Sequence, residues 1–344
     1  MPKLLGFGNP LLDLIAKVDD KFLAKYELDA NSAILAEKKH LPLYQELKDN
    51  YSLVYLGGGA CQNSMRGAAR LLPKGSVTFI GCVSNDEDAK NLKEASNKDQ
   101  LTVEYFIEPS LPTGKCATLI TGHNRSLVTD LQAANSYSVT HAQSPAIWEG
   151  IVEKADFFYI EGYFLTVSPE TILTVAKHAA ATNKVFCMNL SAPFLCEFFQ
   201  EPMDASAPYW DILFGNESEA EAYAKAHNLP YTSDQVQDIA EHIVNSVPKV
   251  NQARSRIVVI TQGSRSTIVA QAGKPTQVHP VPPVPKSEIE DTNGAGDAFV
   301  GGFLGAYVQG ASLEKSVDVG HKLAGQVIRQ VGAYYAPGVE DQLI

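Results

Sequence analysis

From Val77 onward the chain alternates short apolar runs with longer amphipathic stretches, and that rhythm limits it to a helix-covered, largely parallel sheet. Residues 77–81, 157–160, 185–189, 211–214 and 257–261 read as strands. Residues 86–97, 169–182, 217–225, 233–245, 296–308 and 313–331 read as helices. The helix at 169 opens on Pro169, where a missing N–H costs nothing. Runs such as Ile257-Val258-Val259-Ile260 lack the polar alternation of a half-exposed strand, so they belong to a sheet buried on both faces. The fold class is α/β.

Two segments break the rhythm. Residues 14–60 carry apolar runs at 14–18, 33–35 and 53–56, and residues 115–121 and 126–130 form a hairpin around Gly122-His123-Asn124-Arg125. They predict a small domain assembled from two insertions, 14–60 and 115–134, on a large domain of 1–13, 61–114 and 135–344. The Pro-rich run 280–285 is short enough for an edge strand or a loop. At 344 residues and 45% hydrophobic content the chain fills a core of that size. A net charge of −11 leaves no basic footprint and argues against a nucleic-acid partner. No run approaches the ~20 apolar residues of a membrane span. Asp13 arrives too early for a secretion signal, so a cytoplasmic protein is expected. Cys61, Cys82, Cys116, Cys187 and Cys196 are scattered without a C-x-x-C pair, as expected of reduced core residues.

The most informative segment is Asp291-Thr292-Asn293-Gly294-Ala295-Gly296-Asp297, followed by an apolar stretch rich in small residues. Its glycines and Asn293 favour an open or left-handed backbone, and the stretch after them reads as a tightly packed helix. Such a turn at a helix N-terminus aims several N–H groups at one point, where the helix dipole favours an anion. Asn293, Gly294, Ala295 and Gly296 form this candidate anion hole. Asp297 has two readings: it caps the helix, or it is a general base for a hydroxyl attacking a phosphate in the hole. Other nucleotide motifs fail. There is no G-x-x-x-x-G-K-[ST], and Gly6-Phe7-Gly8 meets Leu11 where a dinucleotide fingerprint needs its third glycine.

The run Asp-Thr-Asn-Gly-Ala-Gly-Asp-Ala-Phe-Val-Gly-Gly-Phe-Leu at 291–304 resembles the C-terminal signature of ribokinase-type kinases, and within these it is most similar to the adenosine kinases. Gly8-Asn9-Pro10-Leu11-Leu12-Asp13, Gly58-Gly59-Ala60-Cys61-Gln62-Asn63 and the segments 121–127, 164–170, 189–194 and 216–219 match in the same order, so the likeness covers about residues 3–338. The resemblance implies a ribokinase-like fold: a mostly parallel central sheet flanked by helices, with a small α/β lid. It also implies transfer of phosphate from ATP, with Mg2+, to the 5′-hydroxyl of adenosine. By the same resemblance Asp297 is the base and Arg125 closes over the transferring phosphate. Asn9, Asp13, Gly58, Gly59 and Asn63 meet the ribose, and Leu11, Leu35, Cys116, Leu127, Tyr163 and Phe194 complete the nucleoside pocket. Asn189, Asn216, Thr261, Gly263 and His321 serve ATP, and Glu219 holds Mg2+ through water. The partners it implies are adenosine and ATP, with neither nucleic acid nor membrane, and the chain is expected to be a monomer.

The match has departures. Tyr163 stands where these kinases commonly place Phe to stack on the purine, and Glu161 just before it adds a carboxylate. Ala33 and Ala60 replace polar residues near the purine edge, and His123 replaces a common acidic residue in the lid turn. A kinase acting on another nucleoside or a bare sugar is the competing reading, although a bare sugar has no use for a wall of Leu35, Leu127 and Tyr163. A catalytically silent binding protein conflicts with the retention of Asp297 and both loop glycines.

Overall fold

The computed structural model of the chain describes residues 2–30, 32–122 and 124–338; His123 lies outside them. The strands in the described residues are β1 (Leu4–Phe7), β2 (Leu11–Lys17), β3 (Ala33–Leu35), β4 (Val54–Gly58), β5 (Val77–Val83), β6 (Thr102–Ile107) and β7 (Lys115–Thr121). They continue as β8 (Asn124–Asp130), β9 (Phe157–Glu161), β10 (Val185–Asn189), β11 (Ile212–Asn216), β12 (Ile257–Thr261), β13 (Thr267–Gln271) and β14 (Gln277–His279). A nine-stranded sheet has the order β14-β13-β12-β11-β10-β9-β1-β5-β6, and a five-stranded sheet the order β3-β8-β7-β2-β4.

The large sheet is parallel from β12 through β6, and β13 and β14 join its edge antiparallel. Chain order runs outward from β1 in both directions, which opens a crevice beyond the carboxyl ends of the central strands. Phe158, Ile160, Phe186, Met188, Val258 and Ile260 pack in one core layer, and Tyr159, Cys187, Phe214 and Val259 in the other. Both faces are covered, so these strands carry unbroken apolar runs. In the small sheet, Ala16, Ala117, Leu119 and Val128 pack against Phe22 of helix Asp20–Lys25 and Leu43 and Leu47 of helix Leu41–Asn50.

Helix Ala295–Tyr307 packs against both Ala60–Leu71 and Leu313–Val327. A Cβ on Gly301 would stand 2.6 Å from the Ser64 carbonyl oxygen, so this helix meets its neighbour backbone to backbone. That contact brings the anion loop over the strand ends.

Several expected boundaries shift. β2 begins at Leu11, so the chain enters the small sheet ahead of residue 14, and Ala60 opens a helix instead of closing the insertion. The last helix stops at Val327 and not at 331. There the Ile328 carbonyl accepts the N–H groups of Glu290 and Asp291 at 2.9 and 3.2 Å, so the helical ladder gives way to the approach of the anion loop. Residues 280–285 form a loop, since β14 ends at His279. Among the described residues no helix is long and apolar enough to cross a membrane.

Gly301→Ala adds one methyl group at the tight helix contact. Its expected cost is about 1–3 kcal/mol of stability, the usual range for overpacking. Urea unfolding followed by circular dichroism measures it, and an unchanged midpoint would mean that the helices have room to separate.

Candidate active site

The carboxyl ends of the parallel strands converge on one place. Glu161 on β9 lies beside Asn189 on β10, Asn216 on β11 lies beside Thr261 on β12, and β1 runs on to Asn9. All of these residues line a cavity of about 710 Å³, within the usual size of small-molecule sites. The small sheet supplies another wall with Leu11, Asp13, Leu35, Cys116 and Leu127. Tyr163 and Phe194 add an aromatic side, with ring centroids 6.2 Å apart. Gly59 and Asn63 also line it.

The anion loop has the conformation its glycines require. Gly294, immediately before helix Ala295–Tyr307, is left-handed with φ 75°, and no side chain caps the helix. Asp297 falls in the first turn, past the capping position, and its Oδ2 accepts a 3.0 Å hydrogen bond from Asn63 Nδ2. The capping reading of Asp297 therefore fails on position. Asp291 braces the loop instead, accepting from Asn293 N at 2.8 Å and from Gly332 N at 2.7 Å. Asn293, Gly294, Gly296 and Asp297 line the cavity.

The cavity gathers carboxyl groups that burial makes reluctant to ionise. Desolvation raises Asp297 to about 6, opposed by the Asn63 hydrogen bond and the Arg66 charge. Burial pushes Asp13 up to about 7 and Glu219 up to about 7. Glu161 rises to about 8, where the Asp297 charge adds to the desolvation. Asn9 Oδ1 and Glu161 Oε2 have no hydrogen-bond partner among the described residues. Glu219 is fixed by a reciprocal capping box. Its Oε2 accepts from Asn216 N at 3.0 Å and its Oε1 from Asn216 Nδ2 at 2.6 Å, while Asn216 Oδ1 accepts from Glu219 N at 2.9 Å.

Some expected site residues lie outside the cavity lining: Gly58, Arg125, Ala295, Gly263 and His321. The Arg125 guanidinium is ion-paired with the buried Asp291 carboxylate, which holds it on the residue that braces the loop. Gly58 leaves room for the Asp13 side chain, whose Oδ1 lies 2.1 Å from where a Gly58 Cβ would be. Ala295 opens the helix, and Gly263 is in the turn after β12, with φ 58°. His321 Nε2 is 2.8 Å from Thr267 Oγ1 and its ring tilts against Phe299, so it is a packed core histidine. Sequence reasoning passed over Ser191 and Asp291. Ser191 lines the cavity at φ 67°, and its Oγ accepts from Gly162 N at 2.8 Å. No local residue pattern marks that conformation, whereas Asp291 was visible as the first residue of the loop motif.

Residues 20–339 match the family model described as pfkB family carbohydrate kinase. The chain is 45% identical over 333 residues to adenosine kinase 2 of Arabidopsis thaliana, covering 96% of this chain and 95% of that one. It is 45% identical over 335 residues to the adenosine kinase of Schizophyllum commune, covering 97% and 96%. The crystal structure of Anopheles gambiae adenosine kinase in complex with P1,P4-di(adenosine-5) tetraphosphate matches with a TM-score of 0.89 at 44% identity, over 96% of each chain. Adenosine kinase from Schistosoma mansoni in complex with adenosine and AMP matches with a TM-score of 0.89 at 34% identity, over 99% of this chain and 100% of that one.

The raised Glu161 carboxyl has a measurable consequence. Below its ordinary value of 4.5 it is protonated in both folded and unfolded chains. As pH rises the unfolded chain ionises first, so the folded state loses relative stability until about pH 8. Glu161→Gln removes this penalty and should gain on the wild type by roughly 2–4 kcal/mol between pH 5 and 8. Urea unfolding across that range tests it, and a difference independent of pH contradicts the shifted ionisation.

Proposed function

The chain belongs to the pfkB family of carbohydrate kinases, and from that premise we infer that it is an adenosine kinase, a phosphotransferase that moves the γ-phosphate of ATP to the 5′-hydroxyl of adenosine and yields AMP and ADP. The observation that carries the reading is the position of Asp297. It is a half-buried carboxylate in the first turn of the helix that the anion loop opens, on the same cavity as an apolar wall and polar groups suited to a ribose. Tyr163, Phe194, Leu35 and Leu127 give a purine a surface that a bare sugar does not need.

In this reading the 5′-oxygen attacks the γ-phosphorus, the bond to the β–γ bridging oxygen breaks, and ADP leaves with its electron pair. Asp297 takes the hydroxyl proton; raised to about 6, it is mainly ionised at neutral pH yet more basic than an ordinary carboxylate. The N–H groups of Gly294 and Gly296 hold the charge on the transferring phosphate, with the helix dipole behind them, whereas those of Asn293 and Ala295, expected in the same hole, are taken by Asp291 Oδ1 and the Thr292 carbonyl and shape the loop instead. Asn9, Asp13 and Asn63 hold ribose hydroxyls, while Asn189, Asn216 and Thr261 offer strand-end groups to ATP. Arg125 reaches the phosphate from its place on Asp291.

Mg2+ fits as an ion that arrives with ATP. Glu219 presents a carboxylate on the cavity, and among the described residues no group of three or more His, Cys, Asp or Glu is arranged to hold a metal. That donor set suits an ion that keeps several waters. Bound there, Mg2+ supplies neutralisation of phosphate charge. The protein acts as a monomer in the cytoplasm, in purine salvage.

Two measurements test this reading. With ATP–Mg2+ and ADP release as readout, adenosine should far exceed free ribose as acceptor, and equal efficiency sinks the nucleoside assignment. Asp297→Asn keeps the size of the side chain but loses its basicity, so turnover should fall by about 10²–10⁴. Circular dichroism and calorimetry should find the fold and adenosine binding kept, and near-normal turnover in that folded variant rules out Asp297 as the base.

A further inference from the structure

Arg66 follows Asn63 by one turn in helix Ala60–Leu71 and is 2% exposed. Its Nε donates to Asp99 Oδ2 at 2.7 Å, and its Nη1 donates both to the Gly57 carbonyl and, at 3.2 Å, to Asn63 Oδ1. The Asn63 Nδ2 in turn donates to Asp297 Oδ2 at 3.0 Å. With its oxygen taken by a guanidinium, which only donates, the Asn63 amide has one orientation, nitrogen toward Asp297. Tyr335 packs at the same place: its phenol donates to the main-chain carbonyl of Asn63 at 2.9 Å, and its ring centroid lies 5.5 Å from the guanidinium carbon.

The Arg66–Asp99 pair is buried, with side-chain exposures of 3% and 9%. Desolvating such a pair commonly cancels its attraction, so stability alone is a weak reason for it. We propose that Arg66 is a positioning residue for the phosphoryl transfer: through Asn63 it directs the Asp297 carboxylate, and its charge keeps that carboxylate ionised. The proposal rests on Asp297 as the base.

The electrostatics agree with the geometry. Arg66 lowers Asp297 and Asp13, in both cases against burial. The other groups that bear on Asp297 are acidic. Asp13, Glu161, Glu219 and Tyr163 share the cavity with it, and Cys61, Tyr159 and Tyr335 are held protonated by burial. On the loop itself, Asp291 is matched by Arg125.

The test measures single-turnover transfer from ATP–Mg2+ to adenosine by the full chain between pH 5 and 9. The wild type should show an acid limb that Asp297→Asn removes; without that limb the base assignment falls, and this proposal with it. Given the limb, Arg66→Gln/Asp99→Asn removes both charges while keeping groups that hydrogen-bond. It should move the limb up by about one pH unit, a tenfold loss of rate below the limb. The KM for adenosine should change little. Arg66→Lys keeps the charge, so its limb should stay at the wild-type position, with a lower plateau because one ammonium cannot span Asp99 and Asn63 as the guanidinium fork does. A purely structural role would lower the melting temperature and the active fraction while leaving the limb of the double variant unmoved, and that result overturns the proposal. Should the double variant not fold, Arg66→Lys decides, with rates taken per titrated active site: a wild-type plateau per site overturns the proposal, and a lowered plateau per site on an unmoved limb supports it.

Discussion

The hydrogen bond from Asn63 to Asp297 joins two helices far apart in the chain, and it depends on how closely their backbones approach. Gly301 lies where any Cβ would collide with the Ser64 carbonyl, so helix Ala295–Tyr307 settles against Ala60–Leu71 without side chains between them. That contact places the anion loop over the strand ends and puts Asn63 within reach of the carboxylate. Asp297 is half-buried and its surroundings desolvate it, and a carboxylate so placed needs donors to remain ionised. One packing contact thus sets both where the acid points and how readily it holds a proton.

Asp13, Glu161, Glu219 and Asp297 make the cavity look hostile to a polyphosphate. Burial changes that picture. With values of about 7, 8 and 7, Asp13, Glu161 and Glu219 are partly or mostly protonated near neutrality, so the local charge is lower than the residue types imply. Backbone N–H groups at the helix start bring positive potential without any lysine. For these reasons the net charge of −11 says nothing against a nucleotide in this crevice.

The strands of the large sheet were legible because burial on both faces writes itself into sequence as apolar runs. β12 was expected at 257–261 and spans Ile257–Thr261, whereas β13 and β14, at the antiparallel edge, were not read at all. The last helix was read too long since its amphipathic pattern continues past Val327; what ends it is a distant partner, the N–H groups of Glu290 and Asp291. Pattern and resemblance together pointed to residues at strand ends and in the Gly-rich loop, and of these Asn189, Asn216, Thr261, Asn293, Gly294, Gly296 and Asp297 line the cavity while Ala295 does not. His321 and Arg125 differ for one reason: their positions are set by side chains remote in sequence, Thr267 and Asp291, that no local pattern announces. Arg66 carried no local sign and needed the fold to show Asn63 and Asp99 on either side.

Asp291 shows how the two sheets share one electrostatic contact. Its carboxylate accepts from Asn293 and Gly332 and pairs with Arg125 at the start of β8, so the anion loop and the hairpin of the small sheet converge on the same oxygens. Moving the hairpin away would leave a buried carboxylate with amide donors but without its counter-charge, which is unfavourable. Moving the loop away would strand the guanidinium in the same manner. The pair therefore favours the arrangement in which hairpin and loop lie together.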